Sequence, residues 1–120
     1  MKIRSILFAV GICSVFSMST WAKEDHQIIA EAENNHITIA EAKKTVDETA
    51  VTLTGDIVRQ TKKEHYELKD TTGSIIVEID DDLATPAQLK PGTQIRVIGE
   101  VDSHRHRPTD IDVVKLEFIR

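Results

Sequence analysis

The chain has 120 residues, with 20 acidic side chains against 15 basic ones and a formal net charge of −5 at pH 7. That length holds one small domain and is too short for two. The acidity argues against nucleic-acid partners, whose binding rests on Lys and Arg displacing counterions.

Lys2 and Arg4 precede an apolar run, Ile6 to Phe16, broken only by Gly11 and Ser14, and Thr20-Trp21-Ala22 then offers small residues around a cleavage point. This is the three-part layout of a secretory signal peptide. The run falls short of the roughly 20 apolar residues needed to cross a bilayer. Cys13 follows bulky Ile12 inside the run, which argues against a lipidated cysteine. Residues 1–22 are therefore expected to be a signal peptide cleaved after Ala22. Its removal takes Cys13, the single cysteine, so the remaining domain rests on its core without a disulfide. It also removes Phe8, Phe16 and Trp21, leaving an aliphatic core with Tyr66 and Phe118 as its aromatics.

Residues 23–36 are polar and acidic, with Ile28 and Ile29 isolated among them, and are expected to form a flexible leader. A domain over 37–120 follows. Thr38 and Glu41 stand at the capping-box spacing, and Ile39 to Lys44 contains good helix formers. A helix of barely two turns cannot hold itself together and must dock. Ile37, Ile39, Ala42 and Val46 are the residues expected to dock it.

From Ala50 to about Gln60 apolar and polar residues alternate, placing Val51, Leu53 and Ile57 on one face and Thr52, Thr54 and Asp56 on the other. Gly55 is where this long strand would bend or bulge most easily. Tyr66 and Leu68 continue the inner face on a second strand, while His65, Glu67 and Lys69 point away. Asp70-Thr71-Thr72-Gly73 reverses the chain, and Ile75, Val77 and Ile79 face inward on a third strand. The stretch Asp80 to Gly92 breaks the pattern; Asp82 or Thr85 begins a single helical turn there, with Pro86 at a first helical position. A fourth strand, Thr93 to Gly99, buries Ile95 and Val97. After the charged loop Val101 to Thr109, the closing strand Asp110 to Phe118 has Ile111 and Val113 in phase but Leu116 and Phe118 out of phase. That slip implies a bulge near Val114.

Five short strands without crossover helices exclude a parallel α/β sheet. The fold class expected is all-β with small helical content, a five-stranded OB-fold Greek-key barrel with a short N-terminal helix. An SH3-like barrel is the alternative.

Thr54-Gly-Asp-Ile-Val58, Tyr66-Glu-Leu-Lys-Asp70, Gly73-Ser-Ile-Ile-Val-Glu-Ile-Asp80, Gly99-Glu-Val-Asp102 and Ile111-Asp-Val113 occur in order at the expected spacing. Through them the chain resembles the bacterial OB-fold family of small periplasmic proteins, the YgiW/YdeI stress-tolerance type, from about Ile37 to the C-terminus. The resemblance implies a five-stranded barrel, a periplasmic location and a role in surviving envelope insults. It carries no catalytic motif. Two loops, residues 81–86 and 103–108, depart from the family's pattern.

On OB barrels ligands lie across strands two and three, between the strand 1–2 and strand 4–5 loops. The outward side chains there include Asp56, Glu67, Glu78 and Asp80, with Lys69 and His65 beside them. Without aromatic side chains to stack bases, this acidic face is a poor single-strand platform. It suits a cationic ligand, or is an ordinary solvated face. In His104-Arg105-His106-Arg107 an extended backbone would put His104 and His106 on one side as a weak metal pair, with His65 or Asp102 as a third ligand. Arg105 and Arg107 can instead grip phosphate or carboxylate, helped by Lys62 and Lys63 at the same end of the barrel. Asp80-Asp81-Asp82 lacks the spacing of a dedicated calcium loop.

Ser74 and Ser103 have no nucleophile-elbow setting, so no enzyme and no cofactor are expected. The candidate ligand residues are thus Lys62, Lys63, Glu67, Lys69, Glu78, Asp80, His104, Arg105, His106 and Arg107. The expected function is non-catalytic binding of a small charged ligand or a cell-wall or lipid fragment in support of stress tolerance. Docking on an envelope enzyme or porin is the alternative. No nucleic acid and no membrane span after signal cleavage are expected.

Overall fold

Period-2 alternation builds a closed barrel here. A computed structural model describes residues 24–120; the expected signal peptide, with Cys13, lies outside the described residues. Strands β1 (Ala50–Lys62), β2 (His65–Asp70), β3 (Gly73–Glu78), β4 (Gln94–Asp102) and β5 (Asp110–Phe118) close in the order β1-β2-β3-β5-β4. Neighbours are antiparallel except β3 and β5, which run parallel. This is the five-stranded Greek-key barrel of the OB type, and the SH3-like alternative falls away.

The long first strand serves both halves. Residues Ala50 to Asp56 pair with β4, and Asp56 to Lys62 pair with β2. Gly55 sits at the handover, where a Cβ would lie 2.4 Å from the Lys69 carbonyl oxygen. The glycine therefore permits close backbone approach, and the register slips expected of it fall later, at Val58 and Thr61. The bulge read at Val114 is present: Ile98 pairs with Lys115 and Gly99 with Val113, leaving Val114 without a partner. It turns Leu116 toward the core, whereas Phe118 at the strand end stays 47% exposed.

Alternate residues fill the interior. Val51, Leu53, Ile57, Tyr66, Leu68, Ile75, Val77, Ile79, Ile95, Val97, Ile111 and Val113 are all buried. Ala84 and Leu89 of the β3–β4 connection join the same core. The single turn expected there is present, with the Thr85 N–H donating to Gln88 Oε1 at 2.9 Å and Leu89 N–H donating to the Thr85 carbonyl at 3.1 Å.

Among the described residues, two helices dress the barrel: α1 (Asp25–Ala32) and α2 (Ile39–Ala42). The capping box on α2 forms as read, with Thr38 and Glu41 satisfying each other's backbone N–H groups. Ile39 and Ala42 dock into the main core. Val46 does not, and is 76% exposed. The helix ends after Ala42 and the chain turns, with the Thr45 hydroxyl donating to the Glu41 carbonyl at 2.8 Å, so helical periodicity no longer directs the residue at 46.

The flexible leader expected over 23–36 is corrected by α1. Gln27 Oε1 accepts the Glu24 N–H at 3.0 Å, and Ile28 and Ala32, one helical turn apart, are buried against Ala50 and Ile98 with Ile29 and Val114 packed alongside. The outward apolar residues left over by strand alternation are what this helix covers. Thr52, expected to face solvent, is 3% exposed, and its hydroxyl donates to the Ala32 carbonyl at 2.8 Å, closing the helix C-terminus. Beyond it, residues 35–37 run along β1 through Thr52 N–H to Asn35 O at 3.0 Å and Ile37 N–H to Thr52 O at 3.2 Å, covering a strand edge β2 does not reach.

An eight-residue helix is marginal in isolation, so its docking depends on Ile28. Ile28→Asp should release residues 25–32 while the barrel stays folded. Hydrogen exchange should then show fast amides in α1 and unchanged protection in β1 to β5; uniform loss of protection would mean that α1 is integral to the barrel.

Candidate functional site

Topology sorts the outward side chains into three neighbourhoods. At the end of the barrel formed by the β1–β2 turn and the β4–β5 loop, Lys62, His65, Ile76, Arg107, Pro108 and Asp110 line a cleft of about 120 Å³. Lys62 and Arg107, expected at one end from the fold alone, thus share one opening. His65 Nδ1 lies 2.9 Å from the Lys63 carbonyl; since a carbonyl only accepts, Nδ1 is the donor of this contact. Lys63 is exposed on the turn, and Arg105 and His106 are exposed on the opposite loop. Ile76 and Pro108 give the opening an apolar wall, so it offers two cations and the Asp110 carboxylate beside a greasy surface.

Around β3 and β5 the chain is acidic. Glu78 stands opposite Asp112 across the parallel pair, Asp112 stands opposite Glu100 across β4–β5, and Asp102 stands opposite Asp110. Directly opposed like charges destabilise a sheet. Partial burial, and then the charges of Glu78, Asp102, Glu100 and Asp110, push the Asp112 carboxyl above its ordinary value. Asp25, Asp80 and Asp82 extend this surface around a cleft of about 350 Å³. Asp80 is partly engaged in its own turn, its Oδ1 accepting the Asp82 N–H at 2.8 Å. Strand order alone brings β5 beside β3. The acidic row was therefore missed in the sequence, where Asp112 and Glu100 stand apart from Glu78.

Of the remaining candidates, Glu67 borders an adjoining recess that shares Ile76 and Pro108 with the first cleft, whereas Lys69 stands apart from both clefts. Glu67 pairs with Arg59 at 3.0 Å, on the solvent side of β1 and β2. Lys69 borders a shallow recess of about 400 Å³ with Asp56 and Asp70. The candidate residues therefore do not form one face. Lys62 and Arg107 line one cleft, Glu78 and Asp80 line another, Glu67 adjoins the first across Ile76 and Pro108, and Lys69 belongs to neither group.

The loop histidines also part company. His104 is largely buried, its Nε2 3.3 Å from Asp110 Oδ1 and 3.7 Å from Asp102 Oδ2, while Arg107 Nη2 lies 3.4 Å from its Nδ1. His106 lies outside that group. The Ser103 N–H donating to Asp47 Oδ1 at 2.7 Å turns the chain so that one imidazole folds back over the strand ends. Asp102 was foreseen as a third ligand; Asp110, on the other strand, was not. Its visible signal was its place at the first residue of the closing strand, across the loop from Asp102.

Among the described residues, no helix is long and apolar enough to cross a membrane. Comparison with known proteins agrees with this architecture. A family model described as Bacterial OB fold (BOF) protein matches residues 18–118. The calcium-regulated OB-fold protein CarO of Pseudomonas aeruginosa is 38% identical over 80 residues, covering 66% of this chain and 69% of CarO. Protein YgiW of Escherichia coli strain K12 is 32% identical over 127 residues, covering 98% of this chain and 97% of that protein. The solved structure of ygiW from E. coli superposes with a TM-score of 0.65 at 31% identity, over 72% of this chain and 92% of that one.

Proposed function

Since the chain belongs to the bacterial OB-fold family, we propose that it is a non-catalytic periplasmic binding module, delivered by the segment 1–22, that supports tolerance of envelope stress. Its ligand is a small charged fragment of the cell envelope that presents a phosphate or carboxylate to Lys62 and Arg107. A cationic group on the same ligand would face the neighbouring carboxylates. The observation that carries this reading is the cleft where Lys62, at the end of β1, and Arg107, from the β4–β5 loop, flank an apolar wall of Ile76 and Pro108, with Asp110 as the one carboxylate in its lining. That is the end of an OB barrel at which ligands are taken, and an anion held there between Lys and Arg gains charge-assisted hydrogen bonds. The acidic row beside it favours a zwitterion over a simple polyanion. The Pseudomonas relative is named as calcium-regulated, which is in keeping with a regulated role.

A thermal-shift screen of the purified chain tests this. Zwitterionic cell-wall and lipid-headgroup fragments should raise Tm saturably, following mass action, with about 2.7 kcal/mol of stabilisation at a hundredfold excess over Kd. The double change Lys62→Glu, Arg107→Glu should abolish the shift without lowering the Tm of the free protein. No shift from any fragment, together with capture of an envelope protein in a membrane pull-down, would replace this reading with a docking role.

A further inference from the structure

The geometry points to a divalent metal site of the zinc class at Asp102, His104 and Asp110, where the β4–β5 loop leaves and re-enters the sheet. Each residue offers one ligand atom, and the three atoms all lie within 4.8 Å of one another. Bonds of about 2.0–2.2 Å in a tetrahedral zinc site set neighbouring ligand atoms about 3.4 Å apart. His104 Nε2 is 3.3 Å from Asp110 Oδ1 and 3.7 Å from Asp102 Oδ2. Both separations from the imidazole are thus within a few tenths of an ångström of that spacing, and the two carboxylates, within 4.8 Å of each other, would close onto an entering ion.

Three features favour an ion here over a plain histidine–aspartate contact. First, Asp102 and Asp110 are directly opposite on β4 and β5, so two carboxylates are held together by the ladder itself. Second, Asp110 is only 7% exposed, and a carboxylate buried beside another calls for a counter-charge. Third, the two aspartates sit at ordered strand ends, while backbone anchoring at Ser103 draws His104 over them, which makes the three donors preorganised. One imidazole and two carboxylates suit zinc and its first-row neighbours, whereas calcium and magnesium prefer all-oxygen shells.

In the arrangement seen, Arg107 can only donate, so His104 Nδ1 accepts from it and Nε2 carries the proton toward Asp110. On metal binding the ion takes the Nε2 lone pair, the ring proton moves to Nδ1, and the exposed Arg107 swings away. A solvent molecule completes the fourth position. The inference does not depend on the anion reading of the cleft.

Calorimetric titration of the purified chain with zinc chloride tests it, with cobalt(II) absorption as a second readout of the ligand field. One equivalent of zinc should bind saturably, and cobalt should give the intense visible bands of a tetrahedral site. His104→Gln and Asp102→Asn should each weaken zinc binding at least tenfold, with His106→Ala unchanged. Circular dichroism of each variant separates loss of ligand from loss of fold, and Asp102→Asn, at a half-exposed position, keeps the test open if changes at Asp110 unfold the strand. Calcium chloride should give no saturable heat. Absence of saturable zinc binding would overturn the inference. So would zinc binding that survives His104→Gln, or that is lost only with His106→Ala.

Discussion

Gly99→Ala should cost about 3 kcal/mol, lowering Tm by roughly 15 °C for a domain of this size. A Cβ built at Gly99 would lie 2.2 Å from the Asp112 carbonyl oxygen and 2.9 Å from both the Asp112 carbonyl carbon and Val113 Cα. Those atoms are backbone of the neighbouring strand, so no side chain can rotate out of the way. The ladder between β4 and β5 must open instead, next to the bulge at Val114 that sets the phase of the closing strand. Gly92→Ala is the internal control. Nothing lies within 4 Å of a Cβ there, but φ is 92°, so the cost is backbone strain alone, about 1–2 kcal/mol. Thermal unfolding of the two variants should rank them in that order. A Gly99→Ala protein as stable as the parent would show that β4 and β5 do not approach as closely as described.

Asp70→Ala should lower stability by about 2–3 kcal/mol, roughly 10–15 °C in Tm. This one carboxylate holds three chain segments. Its Oδ2 accepts the N–H of Ile39, the first residue of α2, at 3.0 Å, and its Oδ1 accepts the N–H groups of Thr72 at 2.7 Å and Gly73 at 3.2 Å, as well as the Thr72 hydroxyl. It closes the β2–β3 turn and caps the helix that covers that end of the barrel. Burial pushes its pKa up, but the hydrogen bonds from Thr72, Ile39 and Gly73 together outweigh it and hold the carboxyl below its ordinary value of 3.8. The contribution is therefore fully present above pH 3.8 and is lost as pH falls through the depressed folded value. Tm measured against pH should show parent and Asp70→Ala far apart at neutral pH and converging in strong acid. Asp70→Asn, which keeps the shape and one acceptor, should fall between them. A gap that stays constant with pH would mean that the hydrogen bonds do not depend on the charge.

Both residues were visible in the sequence, though in different ways. Asp70 stood at the head of a recognisable Asp-x-x-Gly turn; its second task, capping a helix that begins 31 residues earlier, was not visible. Gly99 read as the end of a strand, because the carbonyl it must avoid belongs to Asp112 across the sheet. Gly55 was recognised as special, yet for a bend rather than for the close passage of Lys69. The candidate site divides along the same line. Lys62 and Arg107 could be matched from the fold's known ends, whereas the partnership of His104 with Asp110 and the row Glu78, Asp112, Glu100 could not.

The alternation of side chains settled the barrel's inner face, the capping box settled where α2 starts, and the slip in phase after Val113 located the bulge, because each is a local rule with a period the eye can count. Tertiary structure decided the rest. It decided that Ile28 and Ala32 have a surface to cover, that Thr52 is buried beneath a helix, and that Val46 is not. It also gathered carboxylates from β3, β4 and β5 into one row. These depend on which strands become neighbours, and strand order is chosen by the packing of the whole barrel rather than by any one segment's pattern.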